Sequence, residues 1–131
     1  MIEQIRSDKE LIAIILRSSY KKEGIEFFTP NEFSQQLAYM NRPAGYAIQP
    51  HVHNKVQREV LYTQEVLFIR SGRMKVTFYD GGKNYVEERT LSAGDVILLA
   101  SGGHGFEMLE QTEIIEVKQG PYLGDQDKTR F

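Results

Sequence analysis

An all-β domain, a sandwich or barrel, is the fold class this sequence predicts. Three observations carry it: short apolar runs with two-residue alternation, turn residues that bound those runs, and no long amphipathic helical pattern to compete with them. Residues 11–17, rich in isoleucine and leucine, form a first predicted strand, and a polar turn at 18–23 leads to a second at 24–28. Thr29-Pro30-Asn31-Glu32 has the form of a capping box with proline at the first helical position, which predicts a short helical turn. Residues 35–41 are read as a strand leading through Arg42-Pro43-Ala44-Gly45 into the next segment, although Phe33, Leu37 and Met40 would also fit one helical face.

The second half of the chain is more regular. In 72–79, Met74, Val76 and Phe78 alternate with Arg73, Lys75 and Thr77, the signature of a strand with one wet face. Asp80-Gly81-Gly82-Lys83-Asn84 predicts a hairpin connection, because glycine and asparagine tolerate positive φ. Residues 85–91 return, 92–95 turn again, 96–99 and 104–108 follow around a Ser101-Gly102-Gly103 turn, and 112–118 close the set. The tail, 119–131, carries Gly120-Pro121, Gly124 and several charges and is expected to be irregular. One domain therefore spans 1–131, with N-terminal strands in 1–44, a barrel core in 45–118 and the tail beyond.

Composition narrows the function classes. With 16 basic against 18 acidic residues and a net charge of −2, nothing electrostatic favours a nucleic-acid partner. The absence of cysteine excludes disulfides, thiolate ligands and cysteine nucleophiles. The longest apolar run, 11–16, is too short to span a bilayer and lacks a secretory cleavage pattern, so a cytoplasmic protein without a membrane partner is expected. No phosphate-binding loop, dinucleotide fingerprint or nucleophile elbow occurs.

The chemistry-bearing residues are the three histidines and one carboxylate. In an extended strand His51 and His53, two apart, aim their imidazoles into one space. Imidazole and carboxylate together suit iron, manganese, nickel, copper or zinc better than calcium. The spacing Gly45, five residues, His51-Val-His53, then Glu65, six residues, Gly72 resembles the first motif of the cupins, and Gly94-Asp-Val-Ile-Leu-Leu-Ala-Ser-Gly-Gly-His104 resembles their second. Two departures stand out. Eleven residues separate His53 from Glu65, longer than the family's short gap, so a competing register would use Glu59; Glu65 is preferred because it alone keeps six residues before Gly72 and sits in an apolar strand. The second motif also lacks its usual proline.

The resemblance implies a cupin double-stranded β-helix, a jelly-roll barrel with extra N-terminal strands, and one divalent transition metal (Fe, Mn, Ni or Zn) held by His51, His53, Glu65 and His104. It further implies open coordination positions for a small-molecule substrate. The same ligand set serves isomerases, epimerases and dioxygenases, so the reaction is not implied by fold and ligands alone. The segments Gln64-Glu-Val-Leu-Phe-Ile and Glu116-Val-Lys-Gln-Gly-Pro-Tyr122 look like small stand-alone cupins of bacterial surface-polysaccharide synthesis. That likeness points to a metal-dependent isomerase or epimerase acting on a sugar or nucleotide-sugar derivative, with a non-haem iron dioxygenase and a non-catalytic metal- or sugar-binding regulatory module as the alternatives.

Strand parity sets Phe106 and Met108 beside His104, and Leu67 and Ile69 beside Glu65, as an apolar wall that serves equally as barrel core; Phe106 is the substrate-contact candidate. The long connection 54–64 is expected to cap the mouth, with Arg58 or Lys55 available to an anionic group and Glu59 or Tyr62 to proton transfer; a solvated loop is the plain alternative. A homodimer is expected, with 11–16 as a candidate interface or else an internal strand.

Overall fold

The computed structural model describes residues 1–131 and is all-β and antiparallel, with ten strands and one 3-10 turn at Gly124–Asp127. In chain order they are β1 (Ile2–Ser7), β2 (Glu10–Leu16), β3 (Gly24–Phe27), β4 (Ala38–Asn41), β5 (Glu65–Ser71), β6 (Arg73–Tyr79), β7 (Tyr85–Ser92), β8 (Val96–Leu99), β9 (Gly103–Met108) and β10 (Glu113–Lys118). Five strands form one sheet in the order β1-β2-β8-β5-β10, three form a second as β7-β6-β9, and β3 and β4 make a separate hairpin. No helix is long and apolar enough to cross a membrane.

The two larger sheets pack across one core. Alternation aims Ala13, Ile15, Leu67, Ile69, Ile97 and Leu99 from the first sheet against Met74, Val76, Phe78 and Leu91 from the second, all buried in a single cluster. Ile14 and Leu98, opposite each other on β2 and β8, are also fully buried but on the reverse face. Burial on both faces explains why 11–16 reads as a continuous apolar run instead of an alternating one. It also decides between the two readings of this segment: it is an internal strand between β1 and β8, not a free edge.

The seams on the two sides of the sandwich differ. On one side Glu3 of β1 bonds Arg17 (2.8 Å) and reaches Arg89 of β7 (3.3 Å), so ion pairs stitch the sheets together. Arg17 also reaches Asp95 (3.1 Å), whose carboxylate accepts the backbone N–H groups of Ser18 and Ser92 at 2.8 Å each. On the other side β10 and β9 are both sheet edges and are not hydrogen-bonded to each other.

One strand went unsignalled and two expectations are corrected. β1 is a strand the sequence did not signal, its Ile-Glu-Gln-Ile-Arg-Ser pattern being too polar to stand out. The Thr29 capping box opens no helix; the Thr29 hydroxyl donates to Gln36 (2.7 Å) and accepts the N–H of Leu37 (3.2 Å), closing the turn between β3 and β4 instead. Phe33 N–H to Pro30 C=O (3.1 Å) makes a single reverse turn there. Finally, the strand expected to carry His51 and His53 does not form: no strand occurs between β4 and β5, and Pro43 and Pro50 in that stretch have no N–H to donate to a ladder. Residues 35–41, read as a strand, are one in their second half.

Candidate functional site

Glu65 is the first residue of β5, on the same face as buried Leu67 and Ile69. His104, second in β9, pairs with Phe78 of β6 and so faces the same interior from the other sheet. The two meet at one end of the sandwich, His104 Nε2 to Glu65 Oε1 at 3.0 Å, with 12% of the Glu65 side chain and 30% of the His104 side chain exposed. A contact between sheets at this point joins residues 39 positions apart in sequence.

Three more side chains complete the surroundings. Phe106 lies beside His104, ring centroids 5.2 Å apart and tilted by 32°, and remains half-exposed. On β10, Lys118 is directly across from Glu65, and Glu116 across from Leu67, so both lie on the face toward the second sheet while remaining partly exposed at its end. Lys118 Nζ stands 3.7 Å from Glu116. The hydrogen bond from His104 holds the Glu65 carboxyl below its ordinary range, against the opposing pull of burial and with help from Glu116 and Lys118. Burial raises Glu116, and its hydrogen bond to Glu65 raises it further. Glu65 thus accepts a hydrogen bond from His104 Nε2–H, with the Glu116 carboxyl close beside it.

The other expected site residues lie elsewhere. His51 and His53 are exposed on the segment between β4 and β5, edge to face with ring centroids 5.3 Å apart, and His51 Nδ1 bonds the Gln49 carbonyl at 2.9 Å. No group of three or more histidine, aspartate or glutamate side chains is spaced to hold an ion, so the two imidazoles do not join Glu65 and His104. The donor types suit a transition metal, but as arranged they form two separate pairs instead of one coordination set. Glu59 and Tyr62, also exposed, line a cleft of about 550 Å³ with Arg6, Glu10 and Phe33. Neither Glu65 nor His104 lines that cleft, nor do Arg58 and Lys55, which are exposed.

The structure brings together Glu65, His104 and Phe106, each singled out in the sequence, and sets beside them Glu116 and Lys118, which were not. A signal existed. In Glu113–Lys118 the charges at 116 and 118 share one face and the apolar Ile115 and Val117 share the other, but parity alone does not reveal which face is inward. Comparisons with family models, curated proteins and solved structures return no match, so the functional reading stands on the residues themselves.

Proposed function

We propose that the protein is a small cupin-type jelly-roll enzyme, an isomerase or epimerase acting on a sugar or nucleotide-sugar derivative, with Glu65 and His104 at its reactive centre. The observation that carries this reading is the 3.0 Å contact between these two side chains from opposite sheets, with His104 partly exposed at the end of the sandwich. Moving a proton between carbons next to a carbonyl needs a base beside the carbon and a donor beside the oxygen. Ionised Glu65 is suited to take the carbon-bound proton, leaving the electron pair as an enediolate. His104 Nε2–H, released from Glu65 as substrate enters, is suited to hydrogen-bond the enediolate oxygen. Return of the proton from Glu65 to the neighbouring carbon, while His104 passes the hydroxyl proton from one oxygen to the other, completes isomerisation; for epimerisation, water on the opposite face supplies the proton to the carbon and Glu65 gives its own up to solvent. The Phe106 ring offers an apolar face to the C–H side of a sugar.

Solvent deuterium incorporation tests this directly. A panel of hexoses, deoxyhexoses and nucleotide sugars incubated with the protein in D₂O should include one whose carbon-bound hydrogen exchanges, followed by NMR. Glu65→Gln and His104→Asn should each slow that exchange by about 10²-fold or more. If nothing on the panel exchanges, while one sugar binds tightly, the reading gives way to a sugar-binding regulatory module.

A second reading is favoured by the mutual contact of His51 and His53 together with their motif spacing. In it, these imidazoles and the Glu65–His104 pair are the two halves of one metal site, joined when 42–64 folds over the sandwich end. Elemental mass spectrometry on untagged protein, with His51→Ala as control, is the test. Stoichiometric manganese, nickel or zinc lost in the control supports it, and iron with oxygen uptake moves the assignment to a dioxygenase. Failure to bind any of these on reconstitution removes it.

A further inference from the structure

By register, Glu116 and Lys118 of β10 lie on the face toward the second sheet, at its open end with 44% and 31% of their side chains exposed, whereas Ile115 (47%) and Val117 (57%) lie on the outer face beside Phe68 (38%). Ile115 pairs with Phe68 and Val117 with Val66 across the β5–β10 ladder, so the four apolar side chains form one continuous outer patch. β10 is also a free edge: its backbone makes no hydrogen bond except to β5. An exposed edge carrying an apolar face is a template for another strand unless something covers it.

We propose that β10 pairs antiparallel with β10 of a second copy of this chain, about a two-fold axis through Val117, extending each five-stranded sheet into one of twice the width. Charge complementarity selects both the partner and the register. A two-fold perpendicular to the sheet keeps inward residues opposite inward residues, which leaves only registers centred on a residue. Centring on Glu116 or on Lys118 sets that charge against its own copy, which is unfavourable. Centring on Ile115 sets Glu116 against Ile114 and Glu113 against Val117. Centring on Val117 alone places each Glu116 across from the partner copy's Lys118, twice over, with the two Val117 side chains in contact on the outer face. The inference does not depend on the functional reading, but it would bring a second lysine to the mouth that holds Glu65 and Glu116.

The absence of cysteine makes the register directly testable by single substitutions. In this pairing the two Val117 Cβ atoms lie about 5 Å apart, within reach of a disulfide after small adjustment, whereas the two Ile115 positions are about 13 Å apart. Wild-type protein should sediment as a dimer, and Val117→Cys should cross-link nearly completely under mild oxidation. Ile115→Cys, comparably exposed, should not cross-link, and Val117→Asp should sediment as a folded monomer. A wild-type monomer at submillimolar concentration overturns the proposal. So does a dimer that Val117→Cys fails to cross-link, or one that Ile115→Cys cross-links equally well.

Discussion

The side chain whose loss should be felt most is Asp95, only 4% exposed and bonded to Arg17 and to the N–H groups of Ser18 and Ser92. Its carboxylate ties the end of β2, the turn before β8 and the stitched seam together. Asp95→Asn keeps the shape but turns one acceptor into a donor facing an N–H, so it should cost about 3 kcal/mol in urea unfolding. Glu3 gives a pH signature instead. Its hydrogen bond to Arg17, partly opposed by burial, depresses its carboxyl below the ordinary 4.5. A depressed folded-state value means that the stabilisation is complete above 4.5 and is lost as pH falls through the folded value. Stability should therefore decline on acidification below about pH 4.5, and Glu3→Gln should flatten that decline, as followed by thermal melts across pH. Neither Asp95 nor Glu3 stood out in the sequence, because an isolated acidic residue carries no local signal of the distant cations it will meet.

At the scale of elements, two motif glycines that look equivalent in sequence should behave differently. Gly72 turns between β5 and β6 at φ +89°, and a Cβ there would lie 2.3 Å from the Gln111 carbonyl oxygen, which is backbone and cannot move aside. Gly45 has a similar φ of +87° with open space around it. Gly45→Ala should cost about 1 kcal/mol from backbone strain alone, whereas Gly72→Ala should cost several times that or prevent folding, as measured by denaturant unfolding. The strands from β5 to β10 were legible in the sequence because alternation and turn chemistry agree at each one. The Thr29 capping box was not, because the same hydroxyl that can cap a helix can equally close a hairpin turn, and the pairing of β3 with β4 decides between them.

For the molecule as a whole, the sandwich holds most of its backbone in ladders while the stretch between β4 and β5 is exposed and outside any strand. Limited trypsin digestion should thus cut first at Lys55 or Arg58, before any strand, and mass spectrometry of the early fragments checks it. The sequence by itself determined that the chain is all-β, where nearly all of the strands after residue 64 begin and end, and that Glu65, His104 and Phe106 share faces with core residues. Those features depend on periodicity and turn preference within a few neighbours. Only the tertiary structure decided that β2 is internal, that β10 turns its charges toward the second sheet, and that Glu116 and Lys118 stand beside Glu65. It also decided that His51 and His53 lie apart from the Glu65–His104 pair. The physical reason is that strand order and the covering of faces are set by pairings between distant segments, whose hydrogen bonds and apolar contacts leave no trace in local sequence.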